Sequence, residues 1–156
     1  MNNHEEYMNM AAKLAEENIR KGGGPFSAIV VKNGEVIATG CNQVTHKHDP
    51  TAHAEVEAIR KATRELGTHD LSGCSIYASC EPCPMCLGAI YWARLDHLFF
   101  GNTRHEAAEV GFDDNFIYQE LKKPLQQRSI PTQHIVTPET QRPFRIWTEF
   151  PERKEY

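Results

Sequence analysis

Apolar and polar positions alternate along the chain in blocks that predict a series of helices and strands. Apolar side chains recur at helical spacing over residues 5–21, and the glycine- and proline-rich residues 22–25 end this helix. Two apolar runs, 26–31 and 36–40, predict strands. The Asn33-Gly34 pair between them is typical of a tight hairpin, because both residues tolerate positive φ.

Further along, strands and helices are expected to alternate. The polar residues 41–51 predict a loop, and Thr51 is a plausible N-cap for a helix over 52–66. A buried strand is expected at 74–79, a helix that begins with proline at 84–93, and a strand at 97–100.

The last third of the chain is less regular. Residues 102–114 show no clear period, 115–122 predict a short helix, 133–137 a last strand, and 144–150 a final helix. Neither a repeat nor a linker is visible, so a single domain over 1–156 is expected. A hairpin followed by alternating helices and strands predicts an α/β fold with a mixed sheet, in which strands separated by helices run parallel.

Composition narrows the choice of partner and location. Net charge is −4 and the pI about 6.1, whereas proteins that mainly bind nucleic acid are usually basic. A small-molecule partner is therefore expected, and nucleic acid is disfavoured unless a local basic patch exists. Neither a signal peptide nor a membrane-spanning run is visible, which predicts a cytoplasmic protein.

Two short stretches carry the candidate chemistry. Five cysteines, concentrated near residues 80–86, favour metal binding over a disulfide framework. Cys83 and Cys86 are one helical turn apart, and His53 completes three ligands of a zinc site whose fourth position holds water or hydroxide. Glu55, two residues from the imidazole, is the expected proton carrier, because zinc lowers the pKa of bound water to about 7.

Other interpretations of the cysteines stay open. Cys80, Cys83 and Cys86 could hold an iron–sulfur cluster, or Cys80 could close a structural zinc site as a fourth ligand. Neither alternative accounts for the His-x-Glu half of the pattern, so Cys80 is interpreted as a buried thiol at a strand end.

The pattern of His-x-Glu followed by Pro-Cys-x-x-Cys is the described signature of zinc deaminases. At Asn42, 53–55 and 82–86 the chain resembles the branch of the cytidine deaminase-like superfamily that contains tRNA adenosine deaminases and small bacterial guanine deaminases. Residues 88–94, 109–118 and 154–156 are similar to the guanine deaminases, so that resemblance spans nearly the whole chain.

The resemblance implies a three-layer α/β/α fold with a mixed five-stranded sheet, one zinc ion per subunit, and a homodimer that exchanges segments from about 138 to 156. It also implies a nucleobase site whose residues are Phe26, Asn42, Ala54, Trp92, Asp114 and Tyr156. Asn42 would hold the purine, Phe26 would stack on it, and Asp114 would accept from the adjacent N–H and amino groups of guanine. Tyr156 would close the partner's pocket, with Trp92 near the same interface.

Some of these residues also have interpretations without a ligand. Phe26 and Trp92 could be core or interface aromatics, and Asp113-Asp114 could cap a helix. Ser27, where many relatives have glycine, would narrow the pocket slightly.

Three functions follow in order of preference. The first is zinc-dependent conversion of guanine to xanthine and ammonia. The second is deamination of tRNA adenosine or of another guanine-like heterocycle such as an aminotriazine. The third is a zinc-stabilised binding module without catalysis, which an intact Glu55 disfavours.

Overall fold

The structure is a computed structural model that describes residues 3–156. The chain divides between Asn115 and Phe116 into two compact units, which are described in turn.

The first unit contains one four-stranded sheet and its flanking helices. Its elements are α1 (Asn3–Arg20), β1 (Ser27–Lys32), β2 (Glu35–Cys41), α2 (Val44–Lys47), α3 (Ala54–Leu66), β3 (Cys74–Cys80), α4 (Pro84–Trp92), β4 (His97–Asn102) and α5 (Arg104–Glu109). The strand order is β2-β1-β3-β4, with β1 antiparallel to both neighbours and β3 parallel to β4.

The directions of the strands bring four chain segments to one edge of the sheet. β2, β3 and β4 all run opposite to β1, so the ends of these three strands lie beside the start of β1. Ser27 pairs with Cys41, and Cys80 pairs with Asn102. The segments that follow the three strands and the one that precedes β1 are therefore neighbours, at the edge where α/β folds usually place ligands.

Each face of the sheet carries its own core. Ala28 and Val30 point toward α3 and α4, where small residues such as Ala58 allow close packing. Ile29 and Val31 point to the opposite face and pack with α1. The alternation along β1 follows from the two-residue period of a strand, and it produces helix, sheet and helix layers.

The α/β class and the mixed sheet are confirmed, but the expected five strands are wrong. Four strands form the sheet in the part of the chain that the structure describes, and residues 133–137, predicted to be a strand, have irregular exposed backbone. Ile135 and Val136 gave this segment an apolar appearance, yet both side chains are exposed. Strands linked through helices do run parallel, as expected.

Local signals explain the other differences. Thr51 does not cap α3, because its N–H and hydroxyl both donate to the carboxylate of Asp49, and His53 occupies the N-cap position instead. Helix α5 was missed, although Thr103 and Glu106 form a complete capping box at its start. At the hairpin, Asn33 and Gly34 both have positive φ, 49° and 81°, as predicted.

Helix α6 (Asn115–Lys122) begins with the last residue of the first unit and otherwise belongs to the second unit. The second unit also contains α7 (Pro138–Glu149) and, between the two helices, a short 3₁₀ turn at Leu125–Gln127. The prediction for α6 is confirmed, and α7 begins six residues earlier than the predicted helix because Thr137 caps it. Every residue from 129 to 156 is exposed. Among the described helices of both units, none is long and apolar enough to cross a bilayer.

Candidate metal and active site

Two helix starts bring the three predicted metal ligands together. His53 is the N-cap of α3 and Cys83 the N-cap of α4, with Cys86 in the first turn of α4. Both N-cap residues have extended backbone, which projects their side chains away from the helix axes. Because α3 packs against α4, the two starts adjoin, and the positive ends of both helix dipoles face the cluster.

The distances within this cluster fit a tetrahedral metal ion. His53 Nδ1 lies 3.5 Å from the Sγ atoms of both Cys83 and Cys86, and all three ligand atoms lie within 4.8 Å of one another. Zinc bonds of ordinary length at the tetrahedral angle separate a nitrogen and a sulfur ligand by about 3.6 Å. The residues present therefore fit zinc without rearrangement, and one His with two Cys leaves the fourth position open.

The two thiols differ in their hold on a proton. A hydrogen bond from Cys86, and then one from His53, lowers the pKa of Cys83 to about 4. The pKa of Cys86 is raised, because its proton is held by Cys83 and because its side chain is buried. Without a metal the pair retains one proton, so a dication is the group that would stabilise both thiolates at once.

Glu55 lies in the first turn of α3 and its side chain is 7% exposed. Burial raises its pKa above the ordinary value, while a hydrogen bond with Cys86 opposes that shift. A buried carboxyl group that lies next to three metal ligands, but is not itself a ligand, is suited to accept and release a proton.

Cys80 does not belong to the ligand group. Among the described residues, the metal-binding group consists of His53, Cys83 and Cys86, whereas the Cys80 thiol donates to the carbonyl oxygen of Thr103 at 3.8 Å. Burial, followed by the charges of Glu55 and Asp114, raises the pKa of Cys80 to about 11. Cys80 is therefore a protonated neighbour of the site, and a closed site of four protein ligands is not supported.

Asp114 is half-buried and lies within electrostatic reach of the cluster. Burial raises its pKa, and the charge on Cys83 adds to the increase while Arg104 opposes it. His53 in turn has a raised pKa, first through its hydrogen bond with Cys83, and Asp114 contributes. The structure thus brings Asp114 within electrostatic reach of His53 and Cys83, which lie 61 and 31 positions before it in the sequence.

Phe26, Asn42 and Ala54 lie at the same edge of the sheet. Phe26 precedes β1, Asn42 follows β2, and the Asn42 N–H donates to the carbonyl oxygen of Phe26 at 3.1 Å. The half-buried side chain of Asn42 accepts from the N–H of Val44 at 3.2 Å. Ala54 is fully buried at the start of α3, directly between His53 and Glu55.

Within the first unit, neither Trp92 nor Tyr156 lies beside the metal ligands. Trp92 lies at the opposite end of α4 from the two ligating cysteines and is 64% exposed. The guanidinium group of Arg94 lies 5.8 Å from its ring. Tyr156 belongs to the second unit and is exposed.

Phe112 is a candidate residue of the site wall, although the sequence predicted no role of its own for it. Its ring packs edge-on against Phe26 with 4.8 Å between centroids, and it is 44% exposed. Its N–H donates to the carbonyl oxygen of Ala107, which ties it to the end of α5. The contact with Phe26 could not be predicted from the sequence, because Phe112 lies in a stretch without a regular hydrophobic period.

Ser27 does not narrow the site, contrary to the expectation. Its hydroxyl group donates to the carbonyl oxygen of Ala11 on α1, and the side chain is fully buried. Along β1 it shares the face of Ile29, which is opposite to the face that packs on α3. The alternation of strand side chains therefore turns Ser27 away from the metal cluster.

Comparison with known proteins places the chain in a family. The family described as the cytidine and deoxycytidylate deaminase zinc-binding region matches residues 1–102. This match includes all three ligands and Glu55. The chain belongs to this family of zinc-dependent deaminases.

Similarity to particular relatives extends further. The chain is 52% identical to guanine deaminase from Bacillus subtilis (strain 168), over 99% of both chains. The X-ray structure of the Bacillus subtilis guanine deaminase superimposes with a TM-score of 0.97, covering 100% of this chain and 99% of that one.

Two other comparisons cover less of the chain. A tRNA-specific adenosine deaminase from Aquifex aeolicus is 42% identical over 62% of this chain and 64% of its own length. A crystal structure of a mutant protein in complex with 8-azaguanine is 36% identical, with a TM-score of 0.69, and covers 71% of this chain and 64% of that one.

Proposed function

We propose that this protein is a zinc-dependent guanine deaminase, which converts guanine and water to xanthine and ammonia. The observation that carries the proposal is the extent of the similarity. It covers 99% of the chain for guanine deaminase but 62% for the tRNA-specific adenosine deaminase. The family match ends at residue 102, whereas the similarity to guanine deaminase covers nearly the whole chain and so continues through Asp114, the residue expected to distinguish guanine from adenine.

The metal would be held by His53 Nδ1 and by the thiolates of Cys83 and Cys86. When bound, zinc supplies a Lewis acid that makes a water molecule acidic near neutral pH. The three residues fix its position from two rigid helix starts. With three protein ligands, the fourth tetrahedral position would be taken by water or hydroxide.

Glu55 would move the protons of the reaction. Its carboxylate accepts a proton from the attacking water and delivers it to the departing amino group, so that water adds to the carbon and ammonia leaves. The low exposure of the side chain suits this role, because a raised pKa reduces the free energy needed to hold the proton between the two steps.

The substrate would be held by residues at the sheet edge. Asp114 accepts from the ring N–H and the 2-amino group of guanine, a pair of donors that adenine lacks. Asn42 offers its amide to the purine, and Phe26 stacks against the ring. Ala54 contributes the backbone between the histidine ligand and Glu55. The pairing of Phe26 with Phe112 supports an aromatic wall on this side.

A substrate panel tests the proposal. Purified zinc-loaded protein is mixed separately with guanine, adenine, cytosine, cytidine and an anticodon stem-loop, and ammonia release is measured. Turnover of guanine well above that of the other four is the expected result. Zinc-loaded protein that leaves guanine unchanged would refute the proposal.

The second candidate is deamination of adenosine in tRNA. Its support is the 42% identity to the tRNA-specific enzyme over 62% of the chain. The net charge of −4 disfavours it, since RNA binding depends on cationic surfaces. Inosine formation in the stem-loop, without turnover of guanine, would reverse the order. An aminotriazine added to the panel would detect a guanine-like substrate of another class.

The protein would act as a homodimer whose subunits exchange residues 138–156. Each chain would form a single deaminase domain, completed by the exchanged segment of its partner. The second unit supports this, because it exposes large apolar side chains at positions that a core would normally cover. Three of them lie on α7: Phe144 is 81% exposed, Ile146 52% and Trp147 40%. Such a surface is typical of an obligate interface rather than of a free chain.

Complementation between variants tests the exchange. Tyr156→Ala retains Glu55 but lacks the tyrosine, whereas Glu55→Gln retains the tyrosine but lacks the base. If the tail crosses, co-expressed heterodimers contain one site with both groups, and activity returns. If each tail serves its own subunit, the mixture shows no more activity than the average of the two variants. Light scattering measures the dimer mass in parallel.

The five free thiols are consistent with the cytoplasmic location that we propose.

A further inference from the structure

Asn18 connects the two backbone segments that carry Phe26 and Asn42. It lies near the end of α1 and is 3% exposed. Its amide nitrogen donates to the carbonyl oxygen of Gly24 at 2.8 Å and to that of Asn42 at 3.0 Å. A single side-chain NH₂ group thus uses both of its protons to join the α1–β1 connection to the end of β2.

Space around Asn18 is closely filled. A Cβ atom at Gly23 would lie 2.3 Å from Asn18 Nδ2, and Gly23 donates its own N–H to the Asn18 carbonyl oxygen at 2.9 Å. The Asn18 side chain therefore lies directly against Gly23, at a position where a residue with a Cβ atom would displace it. A longer or differently shaped side chain at position 18 would displace the connection.

Gly24 connects this amide to the proposed substrate residues. A Cβ atom at Gly24 would lie 3.2 Å from Asn42 Cγ and 3.4 Å from Phe26 Cδ2. Both side chains thus lie against the backbone whose carbonyl group Asn18 holds. Displacement of Gly24 by a few tenths of an ångström would change the spacing between the Phe26 ring and the Asn42 amide.

Backbone hydrogen bonds join the segments of Phe26 and Asn42 directly to each other and to the segment that precedes His53. The Asn42 N–H donates to Phe26, and the N–H of Gln43 donates to the carbonyl oxygen of Ala52, next to the metal ligand His53. Asn18 joins the third segment, residues 22–25, to this pair through two hydrogen bonds, and the Thr45 hydroxyl adds a longer one to the carbonyl oxygen of Gly22 at 3.5 Å. Its hydrogen bonds do not reach the metal ligands or Glu55.

We infer that Asn18 is a positioning residue for substrate binding, which sets the distance between Phe26 and Asn42 without contacting the substrate. The inference rests on the proposed function, because it assigns Phe26 and Asn42 to the nucleobase. Loss of the amide changes how well the base fits before reaction. The group that moves protons keeps its place, so affinity changes and the chemical step does not.

The test is a comparison of kinetic constants for guanine in zinc-loaded Asn18→Ala and Asn18→Ser. Misplacement of binding groups by less than an ångström weakens binding strongly, so KM is expected to rise about tenfold while kcat stays within about twofold. Zinc content should remain that of the wild type. A merely structural role would instead reduce the active fraction and the thermal midpoint, with KM unchanged, and that result would overturn the inference.

Tyr7→Phe is the matched control. It also removes one hydrogen bond from α1, since the Tyr7 hydroxyl donates to the carbonyl oxygen of Gly34 at 2.7 Å, but that bond lies at the hairpin turn. We expect it to lower the thermal midpoint without changing KM. An equal rise of KM in Tyr7→Phe would mean that general loosening of α1 causes the effect, and would contradict a role specific to Asn18.

A double-mutant cycle shows whether Asn18 acts through Asn42. In an Asn42→Ala background, removal of the Asn18 amide should change KM much less than in the wild type, because one of the groups it positions is gone. Fully additive effects would overturn the inference. Failure of the proposed function is seen separately, as absence of guanine turnover in the wild-type protein of the same series.

Discussion

His53 Nδ1 lies 3.5 Å from the Sγ atom of Cys86, although 33 positions separate the two residues in the chain. The contact depends on the packing of α3 against α4, because each residue sits at the start of one of these helices. Any change that separates the helix starts by an ångström would break the ligand set. Metal affinity and local packing are therefore coupled.

Replacement of a ligand should abolish zinc binding, whereas replacement of the nearby thiol should not. In Cys86→Ser, one thiolate of the three ligands is lost, and zinc affinity should fall by at least about a hundredfold. In Cys80→Ser, the ligands are intact, and one zinc per chain should remain. Metal analysis after dialysis measures both. Loss of zinc from Cys80→Ser would restore Cys80 as a ligand.

Glu55→Gln should remove activity and leave the metal in place. A positioned acid–base group contributes about a hundredfold to ten-thousandfold to the rate, so kcat for guanine should fall by about a thousandfold. The amide is nearly isosteric, which keeps the first turn of α3 unchanged. Zinc content and kcat are measured on the same preparation. A variant that lost its zinc would contradict the assignment of Glu55 outside the ligand set.

In the metal-free protein, Glu55→Gln should raise the stability of the fold at neutral pH. Burial raises the pKa of Glu55 in the folded state, so the folded protein disfavours the carboxylate and loses stability as pH rises above the unfolded value. Glutamine carries no charge and avoids this loss. After chelation of metal, Glu55→Gln should melt above the wild type at pH 7.5 and level with it near pH 4. A difference in melting temperature that grew as the pH fell would contradict this prediction.

Asp114→Asn should weaken the use of guanine through loss of a charged acceptor. A hydrogen bond to a charged group is worth about 1.5–3 kcal/mol, so kcat/KM should fall about tenfold to a hundredfold. Asp113→Asn is the matched control, since the Asp113 carboxylate accepts from the N–H of Asn115 in the turn before α6. Kinetics with guanine compare the two variants. Equal effects at both positions would show that the turn, and not the acceptor, matters.

Gly40→Ala should destabilise the fold although the residue is remote from the chemistry in sequence. A Cβ atom there would lie 2.4 Å from the Ala54 carbonyl oxygen and 2.5 Å from the Ala58 backbone nitrogen, so β2 and α3 would have to separate. Overpacking of this kind costs about 3 kcal/mol. In Gly88→Ala, where a Cβ atom meets open space, stability should change by less than about 1 kcal/mol. Urea unfolding measures both, and a neutral Gly40→Ala would refute the close approach.

Sequence periodicity located most elements because each depends on local rules. The hairpin follows from Asn33-Gly34, and the prediction for α6 matches its observed bounds. Where two local signals compete, the prediction is less accurate. Thr51 resembles an N-cap, but the carboxylate of Asp49 binds it and moves the helix start to His53. Residues 133–137 contain the adjacent apolar residues Ile135 and Val136, but no neighbouring strand pairs with them among the described residues.

The sequence by itself determined the metal chemistry. The His53-x-Glu55 and Pro-Cys83-x-x-Cys86 patterns match the described signature of zinc deaminases, and helix geometry places Cys83 and Cys86 on one turn. Tertiary structure decided what surrounds that centre. Asp114, Phe112 and Asn18 lie near one sheet edge because β1 runs opposite to its neighbours, and a long-range arrangement of this kind leaves no periodic trace in the chain.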